Sequence, residues 1–232
     1  MASRIFRALD ECNNDVLIED AVQDKNIKYF CPVCKNEVIV KASNSKYKCK
    51  HFRHKAECIY KRKNDISEWH RNWQNQFPKE NQEVYMSGDD GEIHRADVCI
   101  NNMVFEFQNS DITEDEIIKR NNFYTEKHKL IWIFNEHNKI KNVKYLFEKE
   151  RIEKNNIGLV YLYWKKEHSI FNAFVNNPSN VKVYIEEIFE NEVVLIKCKE
   201  ICRDYILRYL TPNAITQKKF IEDIYERFGL EK

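Results

Sequence analysis

Between residues 31 and 58 the chain gathers Cys31, Cys34, Cys49, His51, His54 and Cys58, all metal-ligating side chains, in a stretch too short to build a large core. The Cys31-Pro-Val-Cys34 spacing lets two thiolates of one turn face a single ion. His51-Phe-Arg-His54 repeats that spacing as a second knuckle, and Cys58 offers an alternative soft ligand. The expectation is a structural Zn²⁺ held by four of the five residues Cys31, Cys34, His51, His54 and Cys58. A Cys-x2-Cys pair can instead be a redox motif, but no thioredoxin-like strand and helix surround this one, and its His/Cys partners would have no explanation. Zinc binding would supply folding energy to a segment with little core of its own. No open coordination position is evident, so catalysis has to be sought elsewhere.

Eight cysteines would suit a disulfide framework in a small secreted domain. The opening MASRIFRALDE has neither an apolar h-region nor a small-residue cleavage site, so an intracellular, cytoplasmic protein is expected, or a nuclear or viral one if the source is a eukaryotic virus. No apolar run approaches the roughly 20 residues that span a bilayer. With 43% hydrophobic and 32% charged residues the profile is globular, and 232 residues suffice for one full core plus an appendage. Net charge is only +1, so the distribution of charge matters more than its total. Lys41, Lys46, Lys48, Lys50, Arg53, Lys55, Lys61, Arg62 and Lys63 face a single acid, Glu57. Such a run is often just a solvated face, but its overlap with the metal-binding pattern favours contact with nucleic acid.

The periodicity predicts short strands at Val16–Ile18 and Ile27–Phe30, and Glu37–Lys41 as one arm of a hairpin. Ser67 is a fair N-cap for a helix over Glu68–Phe77, with Trp69, Trp73 and Phe77 on one face and Pro78 as its stop. Strands follow at Gln82–Met86, Arg95–Ile100 and Met103–Gln108, separated by the turn signals Ser87–Glu92 and Asn101-Asn102. Thr113, with Glu116 three residues on, caps a helix to about Lys127. Leu130–Phe134 is a continuous apolar run, as in a strand buried on both faces. Helix, three strands, helix, strand predicts an α/β (α+β) fold, a mixed sheet flanked by helices with a small metal module in front. The boundaries fall at 1–63 for the module, 64–138 for the main core and 139–232 for an extension of unassigned role that can complete the core. In that extension a helix over Lys141–Lys154, strands near Leu159–Trp164 and Val181–Ile185, and a final amphipathic helix over Thr216–Phe228 are expected.

Asp97 lies in an apolar strand context, and Glu106 and Gln108 share a face of the next strand by the two-residue period. Two carboxylates on adjacent strands near a sheet centre repel each other unless a cation lies between them. Hard oxygen ligands favour Mg²⁺ or Mn²⁺, and such a site suits phosphodiester hydrolysis. Glu68 on the first helix is a third acid, and Gln108 can position water or phosphate. His70, about 200° round the helix from Glu68, cannot share an ion with it and is left as a phosphate contact or packing residue. Glu83 is a weaker candidate, read as structural. The bland alternative is a strand pair whose acids face solvent.

Tyr29-Phe-Cys-Pro-Val-Cys34, His51-Phe-Arg-His54, Ser67-Glu-Trp-His70, Arg95-Ala-Asp-Val98, Phe105-Glu-Phe-Gln-Asn-Ser110, Arg120 to Tyr124 and Ile131-Trp-Ile133 occur in this order over roughly residues 5 to 135. In this the chain resembles the CoiA competence-protein family. The resemblance implies an N-terminal zinc-binding module and a restriction-endonuclease-like core of the PD-(D/E)XK type. It places Glu68, Asp97, Glu106 and Gln108 on the nuclease motif positions. Gln108 stands where many members of the wider superfamily carry a catalytic lysine, so the metal or Arg120 would have to stabilise more charge. Arg120 and Tyr124, one helical turn apart, resemble the Gln-x3-Tyr element of RecB-like nucleases and would face the metal site.

The leading expectation is therefore a Mg²⁺- or Mn²⁺-dependent DNA endonuclease, with Asp97 and Glu106 on the metal, Glu68 assisting, and the basic zinc module gripping phosphates. DNA, whether single-stranded, duplex or branched, is the expected partner, alongside recombination or DNA-processing proteins. A dimer is compatible with everything above. The rival is a catalytically silent DNA-binding or scaffold protein on the same fold, made credible by Gln108 in place of lysine.

Overall fold

The computed structural model describes residues 5–41, 50–56, 67–135, 152–154, 159–163, 169–175, 180–189, 191–201, 205–209 and 215–231. Among the described residues there are two sheets and three α-helices. The N-terminal sheet is antiparallel, in the order β2(Asp15–Leu17), β1(Arg7–Leu9), β3(Tyr29–Phe30), β4(Glu37–Lys41), β5(His51–His54). Glu37–Lys41 is one arm of a β4–β5 hairpin, as its alternation predicts. This small unit has a core of its own, with Ile5, Ala8, Ile18, Tyr29, Val38, Val40 and Phe52 buried together, more than the little core expected of so short a segment.

The larger sheet is mixed. Its central ladder runs β6(Gln82–Ser87), β7(Ile93–Ile100), β8(Met103–Gln108), β9(Lys129–Asn135), β12(Val181–Phe189), β13(Glu192–Ile201). β6, β7 and β8 are antiparallel neighbours, whereas β8, β9 and β12 run parallel. Beyond β13 the order continues through β14(Tyr205–Tyr209) and β11(Leu159–Tyr163) to β10(Ile152–Lys154), and a short β15(Ile215–Thr216) pairs with β13. Three helices flank the central ladder: α1(Glu68–Gln74), α2(Glu114–Thr125) and α3(Gln217–Phe228).

Local chemistry sets these limits. Ser67 Oγ accepts the His70 amide at 3.2 Å, and Thr113 Oγ1 accepts the Glu116 amide at 3.2 Å, so both anticipated caps form. Asn101, at φ 51, makes the left-handed bend of the β7–β8 turn, a conformation that asparagine tolerates. α1 ends three residues before the expected Phe77. The helix expected over 141–154 lies outside the described residues to position 151, and Ile152–Lys154 is a strand instead.

β9 explains the packing. Leu130, Trp132 and Phe134 enter one core with Ala96, Val104, Ile117 and Tyr124 beneath α2, while Ile131 and Ile133 enter the other with Trp73, Phe105, Phe107 and Phe220 beneath α1 and α3. An unbroken apolar run is what a strand covered on both faces requires. Residues of the C-terminal third, Phe174, Val183, Ile185, Leu195, Phe220 and Ile224, lie in these same two cores. Among the described residues no helix is long and apolar enough to cross a membrane.

Because Ile133 is fully buried in the parallel centre of the sheet, Ile133→Ala should lower stability by about 3 kcal/mol. Urea unfolding should show a lower midpoint at unchanged slope.

Candidate metal centres

The sheet brings three acids together. In the β7–β8 ladder the paired register stops at Val98↔Phe105, and the next step would set Asp97 opposite Glu106. There the strands part, and Asp97 Oδ2 accepts the Phe107 amide at 2.8 Å in place of a ladder bond. Its other oxygen, Oδ1, lies 3.1 Å from His70 Nε2 on α1. From the other side comes Glu83 of β6, a non-glycine residue at φ 53, inside a strand and in the left-handed region. Such a backbone conformation costs on the order of 1–3 kcal/mol and persists where the surroundings impose it. Ligand atoms of His70, Glu83 and Asp97 all lie within 4.8 Å of one another, and all three residues are buried.

Glu106 sits on the same strand step but is engaged from α2. Its Oε2 accepts from Arg120 Nη1, and Arg120 Nε also donates to Glu116 Oε1 at 2.8 Å. Tyr124 is buried with its hydroxyl against Glu106. Burial first, and that carboxylate second, push its pKa well above the phenol value. Glu83 Oε1 accepts from Gln74 Nε2 at 2.6 Å, and Glu83 Oε2 pairs with Arg95 Nη1 at 2.7 Å. Burial works against the Arg95 charge, yet Glu83, with Tyr85 and Asp97 behind it, raises its pKa above the ordinary value. Arg120 is the same case, its burial overcome by Glu106, Tyr124 and Asp97. Glu83, Asp97 and Glu106 are each no more than 2% exposed, and two guanidiniums answer these three carboxylates. An imidazole and carboxylate oxygens converging in a buried site with more acids than bases make a donor set suited to a small divalent cation.

The sequence reading needs correction at α1. It preferred Glu68 to His70, but Glu68 is exposed and outside the cluster, while His70 is buried against Asp97. Their separation of about 200° round the helix was correctly drawn; the wrong one was turned inward. The signal for His70 was a polar pair, His70 and Gln74, at i, i+4 beside the apolar stripe. Glu83, read as structural, belongs to the cluster. Counting back through the β6–β7 turn would have set it opposite Asp97, since Gln82 pairs with Val98 and Val84 with Ala96. Gln108 is half-buried at the end of β8, its amide donating to the carbonyl and hydroxyl of Ser110.

The N-terminal sheet carries a second group. Cys31 follows β3, and Lys35, at φ 59, turns the chain so that the Lys35 amide reaches the Cys31 carbonyl at 3.0 Å and the Cys31 amide reaches the Asn36 carbonyl at 2.9 Å. That turn gathers Cys31, Cys34 and His54, whose ligand atoms lie within 4.8 Å of one another, with Cys34 Sγ 3.4 Å from His54 Nε2. Burial lowers the His54 pKa, favouring the neutral ring that a metal needs. His51 is not in the group. His51-x2-His54 is a strand, not a knuckle, so an odd spacing points the two rings to opposite faces, with Phe52 and His54 on the buried side. Cys49 and Cys58 lie outside the described residues.

The N-terminal unit contacts the turn that precedes β6 and the helix α1. Arg7 of β1 donates from Nη2 to the carbonyls of Lys79 at 3.3 Å and Glu80 at 2.9 Å, in the 3₁₀ turn leading into β6. The Arg71 guanidinium, next to His70, lies 3.7 Å from the Phe6 ring centroid.

The chain matches two family models, competence protein CoiA, nuclease-like domain, over residues 60–192, and competence protein CoiA, N-terminal domain, over residues 10–61. No curated protein and no solved structure matches it. The first of the two models spans more than half of the 232 residues and holds His70, Glu83, Asp97 and Glu106, the second holds Cys31, Cys34 and His54, and the chain accordingly belongs to the CoiA competence-protein family.

Proposed function

We propose that this nuclease-like protein is a DNA endonuclease dependent on Mg²⁺ or Mn²⁺, with a structural Zn²⁺ in its N-terminal module. The observation that carries the reading is the convergence of His70, Glu83 and Asp97 at the step where the β7–β8 pairing stops, with Glu106, at the facing position of β8, held by Arg120. His70, Asp97 and Glu83 would hold the ion, with Glu106 within reach on the adjoining strand. Bound there, a divalent cation would supply Lewis-acid polarisation of a phosphate and a lowered pKa for a coordinated water. The protein's own part is to pair its buried acids, Glu83 with Arg95 and Glu106 with Arg120. With Gln108 uncharged, Arg120, paired with Glu106 on the same strand, is a permanent cation of the site. Tyr124, its phenol kept protonated, can donate to Glu106 and fix its rotamer. Of the described members of the basic run, Lys50 is held by the carbonyls of Glu19 and Ala21 and Lys55 by Glu37, so Lys41 and Arg53 on the β4–β5 hairpin are the cations offered for phosphate contact.

A silent DNA-binding scaffold is the second reading. It is favoured by the way the acids are already engaged, Glu83 by Arg95 and Gln74, and Glu106 by Arg120. Incubation of single-stranded, duplex and branched DNA with Mg²⁺ or Mn²⁺ separates the two. Cleavage should occur and fall at least about a hundredfold in Asp97→Asn and Glu106→Gln, with DNA binding retained. Binding without cleavage under either ion would leave the scaffold, and absence of both would remove both readings.

The α1 assignment has its own test by calorimetric titration of Mn²⁺. His70→Ala should weaken binding by about tenfold or more, whereas Glu68→Gln should leave it within about twofold. Equal effects would mean that the cluster does not bind the ion as drawn.

Elemental analysis should give about one zinc per chain, lost in Cys34→Ser with a lower melting temperature and retained in His51→Ala. Retention of zinc in Cys34→Ser would dismiss the module's metal site.

A further inference from the structure

Glu186 of β12 is 4% exposed and lies outside the acid cluster, far along the chain from it. Its two oxygens are divided between two indoles of one helix. Oε1 accepts from Trp69 Nε1 at 2.7 Å and Oε2 from Trp73 Nε1 at 2.6 Å. Trp69 and Trp73 stand one turn apart on α1, so a single carboxylate grips the helix at two points on one face. His70 lies between them in sequence and projects about 100° round the axis from Trp69.

α1 needs such a grip. With seven residues it is too short to hold itself in water, and its direction must come from tertiary contacts. Packing of Trp73 against Phe107 and Phe220 sets how closely the helix approaches the sheet. Ring contacts alone leave rotation about the helix axis soft, whereas two charged hydrogen bonds from one face, a turn apart, are directional. A second line reaches the same helix from the same end of the sheet. Asn135, paired with Glu186 across β9 and β12, donates to Asn109 Oδ1 at 2.7 Å, and Asn109 donates to the Ser67 hydroxyl at the helix cap at 2.7 Å. β12 thus fixes the rotation of α1 directly, and through Asn135 and Asn109 its starting point.

We infer that Glu186 is a positioning residue for the metal centre, accepting both indole N–H groups of α1 and so holding the His70 imidazole on Asp97. This rests on the metal centre proposed above. It gives the segment after the acid cluster a task in that centre: the strand that widens the sheet also orients the ligand-bearing helix.

The test is a mutant cycle on the full chain, read by calorimetric Mn²⁺ affinity and by kcat and KM on DNA. Glu186→Gln keeps the volume but presents an amide NH₂ to one indole N–H. Mn²⁺ affinity should fall by about tenfold, and kcat should fall with KM for DNA unchanged. Trp69→Phe removes one donor and should weaken Mn²⁺ a few-fold. In Trp69→Phe/Glu186→Gln the amide oxygen is left to Trp73 with nothing opposing its NH₂, so affinity should return to that of Trp69→Phe alone rather than show the product of the two losses. Wild-type Mn²⁺ affinity in Glu186→Gln, or independent losses in the double variant, would overturn the positioning role while leaving the metal centre standing. If Glu186→Gln does not fold, Trp69→Phe decides, and wild-type affinity there overturns the role. Absence of Mn²⁺ binding by the wild type would remove the metal centre itself, and this role with it.

Discussion

Burying a carboxylate without compensation is among the most unfavourable things a protein can do. Here Glu83, Asp97 and Glu106 are buried within one small region of sheet. The surrounding structure can be understood as the means of compensating them. Arg95 answers Glu83, Arg120 answers Glu106, and the Phe107 amide and His70 answer Asp97. Each partner comes from a different element, so β6, β7, β8, α1 and α2 are bound to one another electrostatically as well as by their apolar faces. The parting of β7 and β8 gives Asp97 its amide, and a ladder closed at that step would leave no place for the carboxylate.

The two halves of the family pattern are physically continuous. Arg7 holds the turn that launches β6, three residues ahead of Glu83, and Phe6 lies beneath Arg71, the neighbour of His70. The N-terminal sheet therefore touches both elements that deliver ligands to the cluster from its α1 side. Its own cysteines and histidine sit at the end of β3 and on β5, where a short hairpin core already supports them.

Much of the central fold was legible because each element carried its own marker: Ser67 and Thr113 as caps, Asn101 as a left-handed turn, and Leu130–Phe134 as a strand covered twice. Asp97 and Glu106 were legible as a pair from hairpin counting. What escaped was long-range. Choosing between Glu68 and His70 required knowing which side of α1 meets the sheet, and that side is set partly by Glu186, far away in sequence. The knuckle reading of His51-x2-His54 carried a turn spacing onto residues whose backbone is extended. Strands β13 and β14 escaped because nothing in their local pattern says that they continue the same sheet.

The parallel pairing of β9 with β12 also has a consequence for synthesis. β9 ends at Asn135 and its neighbour begins only at Val181, while the aromatic layer around Trp73 and Phe107 waits for Phe220 in the last helix. As the chain leaves the ribosome, the β9 edge stands open until β12 has emerged, and the sheet face beneath α1 stays only partly covered until α3 follows. The chain is thus most exposed to self-association during its own translation, and termination before α3 would release a sheet with one face half covered, a natural target for cellular quality control.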